Sequence, residues 1–118
     1  MVKKNSKKYM KFPSGSIRDS QEGKEDYIEG ISWLALKRFA HYMDGKASKY
    51  GRGNWIKGID ISSYEKSLLR HIQKYIANKY YNAKLEPDED HLSAALFNLQ
   101  GIIHEEEKIK HEKRNKNN

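Results

Sequence analysis

The chain has 118 residues, is 36% hydrophobic and 33% charged, and contains no cysteine. That length suits one domain with a small core. The missing thiols exclude a disulfide scaffold, thiolate zinc sites and cysteine nucleophiles. No apolar run approaches the roughly 18 residues of a membrane span, and the basic N-terminus lacks the apolar stretch of a signal peptide, so a soluble, cytosolic protein is expected.

The net charge of +7 is unevenly placed. Residues 1–11 carry five lysines and no acid, the stretch from His104 onward contributes +1, and everything between them contributes only +1. Basicity therefore belongs to an end of the chain, and a basic end gives weak, salt-sensitive attraction to polyanions. Specific nucleic-acid binding is not expected.

Residues 1–23 mix Lys, Ser, Gly and Pro13 with few large apolar residues and read as a basic, flexible arm. The apolar texture begins after Gly30. Ile31, Leu34, Ala35, Phe39, Ala40 and Met43 recur at helical spacing, Ser32 is a candidate N-cap, and Gly45 is expected to end or loosen this first helix. Residues 46–58 hold three glycines, four cations and two large aromatics. They read as a basic, glycine-rich connection that is loop from Gly51 onward. Ser62 or Ser63 is expected to cap a second helix with the stripe Leu68, Leu69, Ile72, Tyr75 and Ile76. Residues 78–87 form a polar connection that cannot remain helical through Pro87. Asp88 is the expected N-cap of a third helix, with Asp90 in its first turn and the stripe Leu92, Ala95, Leu96, Leu99 and Ile103. This helix is expected to pass Gly101 and fray near the Lys/Asn-rich end.

The predicted fold is all-α: three principal helices with a basic, glycine-rich insertion, a helical domain over 24–104 and a charged tail over 105–118. Three such helices make a thin core, and antiparallel dimerisation or higher assembly is expected to complete it.

Several residues carry the chemistry of a polyanion site. Asp44 follows the first apolar stripe, and Asp88, Glu89 and Asp90 open the third helix. Hard divalent cations take carboxylate oxygens, usually one or two from protein, with phosphate and water completing the shell. Lys46, Lys49 and Arg52 set ammonium and guanidinium groups among glycines, which suits phosphate. Trp55 beside Asn54 offers a base a stacking plane and a hydrogen-bonding edge. Arg70 and Lys74 lie one turn apart. His91 and Asn98 share a face of the third helix and need hydrogen-bond partners. The plain structural readings of the same residues are helix capping for Asp88–Asp90, a solvated carboxylate for Asp44 and a solubilising loop for the basic stretch. No serine stands in a nucleophile-elbow context, and the glycine spacing is neither a Walker loop nor a dinucleotide fingerprint.

Taken in order, Leu36-Lys37-Arg38-Phe39-Ala40, Asp44, Lys46-Ala47-Ser48-Lys49-Tyr50-Gly51, Asn54-Trp55-Ile56-Lys57-Gly58, Ser67-Leu68-Leu69-Arg70-His71 and Asp88-Glu89-Asp90-His91-Leu92, then Ala94-Ala95 and Asn98, resemble the phage dATP/dGTP diphosphohydrolases. These belong with the MazG-like all-α nucleoside triphosphate pyrophosphohydrolases. The likeness spans residues 18–103. It implies an oligomeric helical fold that binds a Mg²⁺- or Mn²⁺-nucleotide and cleaves between the α- and β-phosphates, giving monophosphate and pyrophosphate. It also implies roles. Asp44 and Asp90, with Glu29 or Glu89, would hold metal; Lys49, Arg70 and Lys46 would neutralise phosphate; Tyr50, Asn54, Trp55, His71 and Lys74 would line the substrate; His91 and Asn98 would orient ligands. The chain departs from the family in having Asp44 where Glu is usual and His41 where an acid is frequent. The family's N-terminal acidic block is here Tyr27-Ile28-Glu29-Gly30-Ile31. A protein of the same fold that sequesters nucleotide without cleaving it is therefore the alternative, and a small nucleic-acid-binding helical module is a third reading.

Overall fold

A computed structural model describes residues 8–116. The chain divides into two compact units, residues 1–32 and 33–118. The described part of the first unit contains a two-stranded antiparallel hairpin inside the stretch expected to be a flexible arm. Strand β1 (Tyr9–Lys11) pairs with β2 (Ile17–Asp19), with Met10 opposite Arg18. Its turn closes through the Gly15 N–H, which donates to the Phe12 carbonyl at 2.8 Å, and Gly15 sits at φ +94°. The first seven lysine-rich residues of the expected arm lie outside the described residues.

The second unit is helical, as expected: α1 (Trp33–Tyr50), a short 3₁₀ turn (Asn54–Lys57), α2 (Ile61–Tyr80) and α3 (His91–Lys116). Each boundary refines the sequence reading. Helix α1 does not stop at Gly45. It continues to Tyr50 and ends where the Gly51 N–H bonds the Ala47 carbonyl at 2.9 Å, with Gly51 at φ +88°. One interior glycine costs only about 1 kcal/mol, and the residues around it (Lys46, Ala47, Lys49) are good helix formers. The left-handed exit needs a glycine, and Gly51 supplies it. Lys46 and Lys49 are thus helical residues, not loop residues.

Asp60, not Ser62 or Ser63, caps α2. Its carboxylate accepts the Ser63 N–H at 3.1 Å and the Ser63 hydroxyl at 2.8 Å. The same device shifts the start of α3, where Asp90 rather than Asp88 is the cap. It accepts the Ser93 N–H at 3.2 Å and the Ser93 hydroxyl at 2.7 Å, while its own carbonyl takes the Ala94 N–H. In both cases an aspartate bonds the backbone three residues on, as a cap requires. Helix α3 passes Gly101 and remains helical to Lys116, through most of the expected tail.

Contacts pair Tyr64 with Phe97 and Gly101, Ser67 with Asn98, and His71 with His91, so numbers fall on one helix as they rise on the other. Helices α2 and α3 are therefore antiparallel. Helix α1 packs on α3 and is tied to its start by a fork of two hydrogen bonds from Arg38 to the Asp90 carboxylate, at 2.6 and 2.9 Å.

The buried face of α3 is His91, Ser93, Ala94, Ala95, Asn98 and Gly101, and the other buried residues among those described are Phe39 and Tyr64. Of the α3 stripe expected as core only Ala95 is buried, and its large members face solvent. Leu92, Leu96 and Leu99 are each more than 40% exposed, and Ile103, Leu69 and Ile76 are exposed as well. Close approach of two helices selects small side chains. A Cβ built on Gly101 would stand 2.2 Å from the Tyr64 ring, so the α2–α3 seam is made of residues that a hydrophobicity count passes over.

Candidate functional site

One cavity of about 690 Å³ lies between the end of α1, the 3₁₀ turn, the middle of α2 and the start of α3. Each element contributes by its own local logic. The last two turns of α1 supply Tyr42, Asp44, Lys46, Lys49 and Tyr50; the glycine exit supplies Arg52, Asn54 and Trp55; α2 supplies Ser67, Arg70, His71 and Lys74 at one-turn spacing; the α2–α3 connection supplies Glu86 and Glu89; and α3 supplies Phe97 and Asn98. Five of these are cations and three are acids.

The acids are each matched to a cation of the same cavity. Lys46 donates to Glu89 at 3.1 Å, Lys74 is paired with Glu86, and Arg52 lies 3.7 Å from Asp44. Lys46 is also held over the Tyr42 ring, 5.1 Å from its centroid. Burial works against its charge, but Glu89 and Tyr42 together push its ammonium above the ordinary lysine value. Lys74 holds the Glu86 carboxyl below the usual range. Three positive charges are thus partly neutralised, while among the described residues no ion pair engages Lys49 or Arg70.

Trp55 is braced from outside the cavity. The His104 ring meets it edge-on, with centroids 4.9 Å apart and planes at 82°. Asn98 is buried and donates to the Ser67 hydroxyl at 3.2 Å and the Ala94 carbonyl at 2.8 Å, so its amide nitrogen serves the α2–α3 seam. His71 and His91 meet through their Nδ1 atoms at 2.9 Å.

Of the residues singled out in the sequence, Asp44, Lys46, Lys49, Tyr50, Asn54, Trp55, Arg70, His71, Lys74, Glu89 and Asn98 line this cavity. Asp90 and His91 do not. They line a second cavity of about 320 Å³ with Arg38, Tyr75, Lys79 and Glu89. Asp44 and Asp90, expected to hold one or two metal ions, line different cavities, and Asp90 is engaged by Arg38 and by the cap. The Arg38 hydrogen bond is the largest cause holding the Asp90 carboxyl far below the usual carboxylate range; Ser93 adds to it, against the effect of burial. Glu29 belongs to the first unit, in the turn where the Asp26 carboxylate accepts the Ile28 and Glu29 N–H groups.

Sequence reasoning missed Tyr42 and Glu86. Tyr42 stands four residues before Lys46, a spacing that signals contact only once α1 is continued through Gly45. Glu86 carried no signal, because its place opposite Lys74 depends on the path of the connection. Asn78 sets that path: its side-chain amide donates to the Leu85 carbonyl and accepts the Leu85 N–H, both at 2.9 Å.

Among the described residues no three His, Asp or Glu side chains gather in a way that could hold an ion. Asp44, Glu86 and Glu89 each face a cation instead. What the cavity offers is a lining in which five lysines and arginines outnumber three acids, with the Trp55 ring among its aromatic residues.

A family model described as dATP/dGTP diphosphohydrolase, N-terminal, matches residues 14–116. The chain belongs to this family. All of the large cavity lies within the matched span, as do both aspartate caps. No protein of curated function and no solved structure matches the chain. The architecture observed is mostly helical, with three helices, consistent with a small all-α fold. No helix among the described residues is long and apolar enough to cross a membrane.

Proposed function

We propose that the chain binds a purine deoxynucleoside triphosphate, dATP or dGTP, in the large cavity and hydrolyses it to monophosphate and pyrophosphate. The observation that carries this reading is the convergence of Lys46, Lys49, Arg52, Arg70 and Lys74 on one cavity inside the family-matched span. A triphosphate carries several negative charges, and a cation-lined concavity concentrates such a ligand. The guanidinium groups offer paired donors and the ammonium groups point charges. Binding exchanges partners: phosphate oxygens compete with Asp44, Glu86 and Glu89 for Arg52, Lys74 and Lys46. Cations fixed there also stabilise charge that develops on the phosphoryl oxygens during displacement. The braced Trp55 ring, with Asn54 beside it, is the natural wall for a base.

Mg²⁺ or Mn²⁺ would enter with the substrate as the metal–nucleotide complex, the usual habit of Mg²⁺ at phosphate sites, and Asp44 and Glu89 are the expected metal ligands that line the cavity. The exposed Leu92–Leu96–Leu99–Ile103 stripe, with Leu69 and Ile76, supports self-association into a homodimer or larger assembly. The setting that the resemblance implies is the cytosol of a bacterial host carrying a phage or prophage.

A second reading, sequestration without turnover, is favoured by the engagement of all three cavity acids with cations. Incubating the full chain with each dNTP, with and without Mg²⁺ or Mn²⁺, followed by chromatography, separates the two. Monophosphate plus pyrophosphate supports hydrolysis. Diphosphate plus orthophosphate refutes α–β cleavage. Unchanged nucleotide that stays tightly bound establishes sequestration instead.

A further inference from the structure

His71 and His91 form a hydrogen-bonded pair whose geometry dictates where protons sit. The Nε2 atom of His91 faces two carbonyl oxygens, of Leu85 at 3.1 Å and Glu86 at 3.0 Å. A carbonyl only accepts, so this nitrogen carries hydrogen. The Nδ1 atoms of the two rings are 2.9 Å apart, and one must donate while the other accepts. With both rings neutral, His91 has spent its hydrogen on the carbonyls, so its Nδ1 accepts and His71 Nδ1 donates. The remaining nitrogen, His71 Nε2, is then a bare lone pair with no hydrogen-bond partner among the described residues. His71 lines the large cavity, and His91, which is buried, does not. If the Nδ1–Nδ1 bond is kept, the pair has room for one further proton, and His71 Nε2 is where it lands.

Resting on the hydrolytic reading above, we propose that His71 Nε2 is the proton acceptor for the water that attacks the α-phosphorus. Water breaks one O–H bond and gives that proton to Nε2, while its oxygen bonds phosphorus and the bond from phosphorus to the bridging oxygen breaks. Pyrophosphate departs with that oxygen and its electron pair. The imidazolium formed keeps its Nδ1–H bond to His91 and returns the proton to solvent after product release. His91 is a positioning residue: with its own orientation fixed by two carbonyls, it fixes the His71 tautomer.

The surroundings suit a base that is free at neutral pH. Burial is the largest influence and lowers the His71 value, and His91 and Lys74 act in the same direction. Glu89 and Glu86 oppose them, and these acids are paired with Lys46 and Lys74. Arg70 precedes His71 on α2 and also lines the cavity.

Two measurements test this. The first is a long-range ¹H–¹⁵N spectrum of the imidazoles in the ¹⁵N-labelled full chain at neutral pH, which does not depend on turnover. His71 is expected as the Nδ1–H tautomer and His91 as the Nε2–H tautomer. The second uses His71→Gln, which keeps a hydrogen-bonding side chain but takes up no proton. Its kcat on the best purine dNTP is expected to fall by about 10²–10⁴-fold, and the acid limb of the wild-type pH–kcat profile to disappear. Its affinity for the α,β-methylene analogue should stay within a few-fold, which shows that the site is still folded. His91→Phe removes the acceptor and should move the acid limb while nucleotide binding persists. The opposite tautomer at His71, or a His71→Gln kcat within a few-fold of wild type, overturns the proposal while leaving hydrolysis standing. The expected tautomers in a wild-type protein that hydrolyses no dNTP refute the hydrolytic reading and the proton-acceptor role with it.

Discussion

Replacing Gly101 by alanine adds a single methyl group at the tightest point of the α2–α3 seam. That carbon would stand 2.2, 2.3 and 2.6 Å from Cζ, Cε1 and Cε2 of Tyr64. Ordinary carbon contacts lie near 3.5–4.0 Å, so the ring or the helix must retreat by more than about 1 Å. The ring has little room, since Tyr64 is 2% exposed and meets Phe97 edge-on at 5.8 Å. Overpacking of this kind costs about 1–3 kcal/mol, and the overlap puts Gly101 at the upper end of that range. Alanine recovers about 1 kcal/mol of helix propensity, leaving a net loss of about 2 kcal/mol. Gly45 is the internal control. It is also inside a helix, but nothing lies within 4 Å of its added carbon, so Gly45→Ala should gain up to about 1 kcal/mol. Urea unfolding followed by circular dichroism, at one protein concentration for all three proteins, reads both effects. Gly101→Ala at least as stable as wild type would refute the packing argument, as would equal losses from both substitutions. Because Arg70, His71 and Lys74 ride on α2, Gly101→Ala should also weaken binding of a non-hydrolysable dNTP.

The cap at Asp90 gives a pH dependence with a definite sign. Its carboxyl is held below the ordinary range in the folded chain, so its contribution is present above the unfolded value near pH 4 and is lost as pH falls through and below it. Asp90→Ala should cost about 0.5–2 kcal/mol at neutral pH and flatten the acid limb of a stability–pH curve; an unchanged acid limb counts against the Arg38–Asp90 assignment. Arg70→Gln and Lys74→Met should each weaken a non-hydrolysable purine dNTP by about 10–100-fold, the worth of one charge-assisted hydrogen bond. Each should also lower the salt dependence of binding in isothermal titration, and unaltered affinity in both would remove the cavity from the phosphate site. Deleting residues 1–11 removes five positive charges but none of the cavity lining, so nucleotide affinity at moderate salt should change by no more than a few-fold. A collapse of affinity in a truncated chain that stays helical would place the basic end in the site.

The features legible along the chain were local or compositional. Helical periodicity marked all three helices, because a 3.6-residue repeat is written in the order of the residues. The cations between Lys46 and Arg52, with Arg70 and Lys74, were legible as a group of residue types that suit polyanions, but that they line one cavity was not. Packing then selected which of several adequate candidates did each job. Three acids in a row were available to open α3, and Asp90 became the cap because Arg38, fifty-two residues away, meets it there. The leucine stripe of α3 looked like core by hydrophobicity, yet steric approach chose the face with Ala94, Ala95, Asn98 and Gly101, which lets the Tyr64 ring press against the helix backbone. Glu86 joined the cavity through a loop path that Asn78 fixes, and two histidines twenty residues apart became one hydrogen-bonded pair only when α3 folded back on α2. Sequence periodicity reports which faces a helix has; which face meets a neighbour, and which charge meets its partner, depends on distances that exist only after the helices have packed.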